Sequence, residues 1–156
     1  MEYKKQKKVV VAVSGGFDPV HIGHLALFES AKKLGDELVV ILNNDNWLKT
    51  KKGYVFMSEK ERAKIIGAFR AVDKVIISKH KKDSKDRSVS RELEDLRPNI
   101  FANAGDRTRK NIPEVKTCKE IGCKMVFGIT PLGKNQSSSW LLQNFFETYR
   151  KLKILD

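Results

Sequence analysis

The sequence predicts an open α/β fold. We expect a single-domain Rossmann-like three-layer α/β/α sandwich with a five-stranded parallel sheet, spanning residues 1–156. Three observations predict it. Five short apolar runs recur along the chain. A helical apolar spacing or a helix-cap signal separates each run from the next. The runs are continuously apolar rather than alternating, as expected for strands covered on both faces.

The elements follow in order. Lys8 to Val13 is apolar and β-branched and stops at Gly15-Gly16. Gly23 to Leu34 carries Leu27, Phe28, Ala31 and Leu34 at helical spacing, and Gly35 stands where a C-cap glycine belongs. Glu37 to Leu42 is a second strand. Ser58 with Glu61 makes a capping box that opens a helix to about Ala71. Asp73 leads into a third strand, Lys74 to Ser78. A helix from Ser88 or Ser90 to Leu96 is ended by Pro98, ahead of a fourth strand, Asn99 to Ala102. Pro113 suits a helix first turn, and that helix ends near Gly122. Cys123 to Phe127 is the fifth strand. Gln136 to Leu152 is a long last helix with Leu141, Phe145, Tyr149 and Leu152 on one face.

Composition narrows the function. The 156 residues include 31 Lys and Arg against 19 Asp and Glu, a net charge of +12. With 40% apolar residues the chain is too apolar for a disordered basic tail. It is long enough to need no disulfide or metal staple. The charge points to an anionic partner, whether nucleic acid, membrane surface or small phosphate. No apolar run approaches the roughly 20 residues that span a bilayer, and Val9 to Val13 is too short for a secretory signal. No membrane partner is expected. The basic residues are scattered, with no helix joining Lys and Arg to aromatics on one face, so no nucleic-acid partner is expected either. Cys118 and Cys123 match neither a zinc spacing nor a C-x-x-C pair. Reduced, structural cysteines favour a cytoplasmic location.

Doubly wound sheets bind ligands beyond the carboxyl ends of their strands, at the point where strand order reverses. That singles out Ser14 to His24, which reads Ser-Gly-Gly-Phe-Asp-Pro-Val-His-Ile-Gly-His. Gly15 and Gly16 let a ligand approach the backbone closely. His21 and His24 flank Gly23 at a helix start, where free N–H groups and the helix dipole attract anions. Two histidines three apart are by themselves commonly ordinary surface or core residues. Two of the chain's three histidines fall in this one loop, which favours a site. No third ligand of the right type lies nearby, so no protein metal site is expected.

At this point a family resemblance enters. Gly16-Phe17-Asp18-x-x-His21-x-Gly23-His24 resembles the H-x-G-H signature of the cytidylyltransferase-like nucleotidyltransferases. With its length and the Tyr54 to Ile76 stretch, the chain resembles glycerol-3-phosphate cytidylyltransferase and the heptose-phosphate adenylyltransferase domain more than the family's coenzyme adenylyltransferases. The likeness runs through Ala31 to Leu38, Asn43-x-Asp45, Lys49 to Gly53, Glu61-Arg62, Val72 to Val75, Ala104-Gly105-Asp106 and Ser137-Ser138-Ser139. It implies one nucleotidyltransferase domain. Such a domain transfers a nucleotidyl group, CMP by preference, from a nucleoside triphosphate to a phosphorylated polyol or sugar and releases pyrophosphate. ATP with a sugar phosphate or coenzyme precursor is the alternative.

The resemblance also implies roles. His21, His24 and Lys52 would be catalytic, stabilising a pentacoordinate phosphorus; Lys49 and Lys51 are alternatives for reaching the triphosphate. Gly15, Gly16, Phe17, Asp18, Gly23, Lys51, Asp106, Ser137, Ser138 and Ser139 would bind the nucleotide, and Asp45 and Arg107 the acceptor. Mg²⁺ is implied because it bridges triphosphate oxygens, and a homodimer is implied by the smaller relatives. The chain departs from the pattern where many relatives have Thr at Gly16. It also lacks an arginine beside the serines, having Asn135-Gln136 before them and Leu141-Leu142-Gln143 after. Lys134 or Arg107 would take that place.

Two other classes were weighed. His21-Ile22-Gly23-His24 also resembles a signature of class I aminoacyl-tRNA synthetases, and Met57-Ser58-x-Lys60 echoes their second motif. A chain of 156 residues cannot hold anticodon- and acceptor-binding regions, and Met57 precedes the third strand instead of following the last. A non-enzymatic nucleic-acid-binding protein is the remaining class, and the scattered basic residues speak against it.

Overall fold

The computed structural model describes residues 7–105, 107–130 and 137–153. In chain order they form β1 (Val10–Gly15), α1 (Ile22–Lys32), β2 (Glu37–Leu42), α2 (Asp45–Lys52), α3 (Glu59–Gly67) and β3 (Lys74–Ile77). Then follow α4 (Ser90–Leu96), β4 (Ile100–Ala102), α5 (Val115–Glu120), β5 (Lys124–Val126) and α6 (Ser138–Lys153). The strands pair in parallel in the order β3-β2-β1-β4-β5.

Strand alternation sends successive side chains to opposite faces. Val11 and Val13 join Leu38, Val40 and Leu42 on one face, under Phe28 and Ala31 of α1 and Ile66 of α3. Ala12, Ile41, Phe101 and Met125 share the other core, with Val89, Leu93 of α4 and Cys118 of α5. Right-handed crossovers require this division once the strand order reverses between β3 and β4. The expected sandwich of two helical layers around a five-stranded parallel sheet is therefore the observed fold. Its switch point lies between β1 and β4.

Several boundaries differ from expectation. β1 runs two residues beyond Val13 before the glycines end it, with Ser14 paired to Ile41 and Gly15 to Leu42, and it begins only at Val10. Gly35 is no helix cap. α1 closes on Lys33 in right-handed conformation, and a Cβ at Gly35 would lie 2.7 Å from the Val9 carbonyl oxygen. Glycine is needed there for close backbone approach. α3 ends at Gly67, and the N–H groups of Ala68, Phe69 and Val72 turn to carbonyls three residues back, before β3 begins.

The segment carrying Lys49, Lys51 and Lys52 is the helix α2. The Asn44 side chain accepts from Trp47 N–H at its start, and Gly53 at φ 82° terminates it in left-handed conformation. Cys118 and Cys123 are buried and free of disulfide. No helix among the described residues is long and apolar enough to cross a membrane.

Candidate active site

The site starts where β1 ends. Phe17 adopts φ 48°, which turns its ring back into the core. There it meets His24 edge-on at 4.9 Å and Phe28 at 5.1 Å. A Cβ at Gly15 would lie 2.7 Å from the Phe17 ring, and one at Gly16 would lie 2.8 Å from Leu48 Cδ2. The protein's own side chains, as well as any ligand, thus require these glycines.

Asp18 is fully buried. Its two carboxylate oxygens accept the N–H groups of Phe56 and Met57, each at 2.7 Å. Asp18, expected to contact the nucleotide, is not on the cleft wall, and both of its oxygens tie the histidine loop to the segment before α3.

His21 is the N-cap of α1. Its Nδ1 accepts Gly23 N–H at 3.0 Å, and His24 Nδ1 accepts His21 N–H at 3.2 Å. A backbone N–H can only donate, so both Nδ1 atoms carry lone pairs. In the neutral ring the proton then sits on Nε2. The rings stack with centroids 3.7 Å apart. Burial, followed by the Lys52 charge, holds His21 below its ordinary value. Burial, followed by His21 and Lys52, pushes His24 down to about 3. The result is a pair of neutral imidazoles, each with one free Nε2–H donor.

Of the three lysines on α2, a helix points only one toward the site. Lys52 is half-buried and donates to the Asp18 carbonyl at 3.3 Å. Its ammonium is held below the usual lysine range by burial, with Asp18 pulling the other way and Arg62 adding to the depression. Lys49 and Lys51 are exposed and lie off the cleft.

A cleft of about 250 Å³ opens at the switch point. It is lined by Ser14, Gly15, Gly16, Phe17, His24, Leu27, Lys52, Ala102, Asn103, Ala104, Arg107 and Ser138. Residues from β1, α1, α2, the end of β4 and the start of α6 thus meet in one hollow. Ser138 is buried and donates to the Pro19 carbonyl at 2.8 Å, which docks α6 onto the histidine loop. Ser137 accepts Trp140 N–H at 3.1 Å as a helix cap. Ser139 is exposed on α6 and absent from the cleft wall. Gly23 is engaged through its N–H to His21. Asp106 and Lys134 lie outside the described residues.

Asp45, expected to bind the acceptor, is instead ion-paired with Arg62 at 2.6 Å. Sequence reasoning gave Arg62 no role, yet it is fully buried. Its Nε donates to Met57 O at 2.9 Å, and one terminal nitrogen donates to Gly16 O at 2.6 Å and Asn43 O at 2.8 Å. One guanidinium thereby joins the end of β1, the end of β2, α2 and the segment before α3. Asn103 was also missed. It follows β4, the second strand end at the switch point, and the same topological rule that pointed to Ser14–His24 points there too.

Among the described residues no group of three or more His, Cys, Asp or Glu is placed to hold a metal ion.

Fold and site together define a Rossmann-like α/β protein with a histidine- and lysine-lined cleft at its switch point. The cytidylyltransferase-like pattern matches residues 12–143, and the chain belongs to that family. It is 36% identical to bifunctional protein HldE of Syntrophotalea carbinolica over 151 residues, covering 95% of this chain and 29% of that protein. It is 37% identical to FAD synthase of Thermococcus sibiricus over 105 residues, covering 66% of this chain and 67% of that one. The chain spans only 21% to 29% of the length of three HldE relatives. A lipopolysaccharide core biosynthesis protein from Thermoplasma volcanium superposes with TM-score 0.63 and 25% identity, over 80% of this chain and 99% of that one.

Two predictions come from this geometry. His24 titrates near 6.5 when unfolded and near 3 when folded. Above pH 6.5 both states are neutral and His24 imposes no cost. As pH falls through that value the unfolded chain takes up a proton that the native state refuses, so stability drops. Urea unfolding at about pH 7.5 and about pH 5 should show the wild type losing roughly 2 kcal/mol more than His24→Asn. Equal losses would contradict a buried neutral ring. Separately, Arg62→Lys leaves several buried acceptors unpaired and should cost about 3 kcal/mol in urea unfolding. A loss under about 0.5 kcal/mol would remove Arg62 from its place as the site's tie.

Proposed function

We propose that this chain is a cytoplasmic, homodimeric nucleotidyltransferase. It moves a nucleotidyl group from a nucleoside triphosphate to a small phosphorylated acceptor and releases pyrophosphate. One observation carries the proposal: two stacked imidazoles are locked by backbone N–H groups as neutral Nε2–H donors, and one of them, His24, lines a cleft that also receives Lys52, Arg107 and Ser138.

The chemistry needs little more. An oxygen of the acceptor's phosphate, already ionised, attacks the α-phosphorus. A new P–O bond forms there, and the bond from the α-phosphorus to the bridging oxygen breaks, with its electron pair leaving on pyrophosphate. No proton must be removed from the attacking oxygen, so the residues position groups and offset charge. The Nε2–H groups of His21 and His24 donate to phosphoryl oxygens as charge builds on them. Lys52 offsets charge on the triphosphate, which enters with its own Mg²⁺. The first-turn N–H groups of α6, with Ser138, cradle the outer phosphates. Arg107 takes the acceptor's phosphate. Among the other expected contacts, Asp106 would serve the ribose or base.

ATP is the nucleotide best supported, because FAD synthase relatives make a product in which an adenylate is joined to a phosphorylated acceptor. The family's own description supports CTP, the nucleotide expected from the sequence, as the second reading. The Thermoplasma neighbour's place in lipopolysaccharide core biosynthesis supports a sugar phosphate as acceptor.

Pyrophosphate release, screened over four nucleoside triphosphates and a panel of phosphorylated sugars, polyols and flavin mononucleotide, tests the reading. ATP should be preferred over CTP with at least one acceptor; no release with any pair would overturn transfer. His21→Ala and His24→Ala should each lower kcat by roughly 10²-fold or more. Lys52→Ala should raise the nucleotide KM while Lys51→Ala leaves it unchanged, and the reverse pattern would move the phosphate contact elsewhere on α2.

A further inference from the structure

Helix α6 has an apolar face that no described residue covers. Phe145 and Phe146 are each 61% exposed, Leu152 60% and Tyr149 44%. Half-buried Leu141 and Leu142 extend the same face. The exposed rings cluster, with Phe145 stacked on Tyr149 at 5.9 Å and 6.1 Å from Phe146. Of sixteen residues in α6 only Ser138 is buried. At 150–250 Å² per aromatic side chain, the face leaves on the order of 400 Å² of apolar surface in water.

We propose that this face is covered by the same face of a second copy of the chain, with the two α6 helices antiparallel. Two such faces with their polar margins reach about 1,000 Å², the size at which a specific interface becomes stable. A two-fold axis lets one patch cover itself. Charge fixes the direction. The last turn carries Arg150, Lys151 and Lys153, and the first turn carries no acidic residue. Parallel helices would bring six cations together, whereas antiparallel ones place each basic turn over the other copy's uncharged first turn.

That arrangement bears on the cleft, and here the inference rests on the function proposed above. The apolar stretch centres on Phe145 and Phe146, so a two-fold crossing there sets residue 153 of one helix opposite residue 138 of the other. Ser138 lines the cleft. The described cations on the cleft wall are Lys52 and Arg107, few for a triphosphate and a phosphorylated acceptor. Arg150 and Lys153 of the partner subunit would add positive charge at the serine end of the site. Lys153 already lies at the edge of the face, its ammonium 5.4 Å from the Tyr149 ring centre.

Sedimentation velocity on the full chain reads the interface without reference to activity. The wild type should be a dimer at micromolar concentration, and Phe145→Gln/Tyr149→Gln a folded monomer. A wild-type monomer, or a dimer that survives both changes, would overturn the interface. So would a monomer that co-floats with phosphatidylserine vesicles through the same residues, since the face would then dock on an anionic bilayer.

Calorimetry with MgATP and MgCTP reads the cations. Arg150→Ala/Lys153→Ala should stay dimeric and bind nucleotide about tenfold more weakly. Re-equilibrated with an equal amount of His24→Ala protein, it should regain wild-type affinity in roughly a quarter of the sites, the share that mixed dimers complete. A mixture that binds no better than its parts would overturn the contribution in trans. A dimer that binds nucleotide but transfers nothing would overturn the proposed function and leave the interface standing.

Discussion

A single buried guanidinium holds the floor of this site together. Arg62 gives its donors to carbonyls at the ends of β1 and β2 and before α3, and its charge to Asp45 on α2. A charge in so dry a place is tolerated only because each of its three nitrogens finds an acceptor. Asp18 works as the counterpart from the histidine loop, using both oxygens on the backbone of Phe56 and Met57. Arg62 grips Gly16 and Asp18 grips the strand-to-helix segment beyond it, so the loop between β1 and α1 is fastened before any ligand arrives.

That fastening explains how the histidines can be chemically specific. An imidazole on a loose loop would titrate near neutrality and choose its tautomer from water. Here His21 and His24 sit on the first turn of α1, and the turn's own N–H groups take their Nδ1 lone pairs. Phe17, turned inward by its left-handed backbone, packs against His24 and helps keep water away. The same folding decision supplies burial, which lowers affinity for a proton, and orientation, which leaves Nε2–H as the available donor. Two neutral donors suit an anion, because they bind oxygens without competing for a proton.

Much of this was legible in the sequence. Parallel strands buried on both faces leave continuous apolar runs, so all five strands were found. Paired histidines after the first strand stood out, because a helix start at a switch point is where anions bind. α2 was not legible: Trp47 and Leu48 are its only apolar residues, and in eight residues no periodicity emerges. For the same reason the lysines could not be ranked, since only the helix turns Lys52 inward and Lys49 and Lys51 out. Arg62 escaped, and so did the structural tie made by Asp18, because a buried charge is spelled like a surface one. Their acceptors and donors lie up to 46 residues away, a distance that composition and spacing do not encode. α6 was predicted with one apolar face, and the structure adds that the described residues leave that face exposed.

The central claim is that the protein presents two neutral imidazoles whose Nδ1 atoms are occupied by backbone donors. Nitrogen-15 NMR of the histidine rings measures this directly. The account predicts that His21 and His24 at neutral pH both show an unprotonated, hydrogen-bonded Nδ1 and a protonated Nε2, and that added MgATP or MgCTP shifts the Nε2 resonances more than the Nδ1 ones. An imidazolium signature at either position, a proton on Nδ1, or Nε2 resonances indifferent to nucleotide would contradict it.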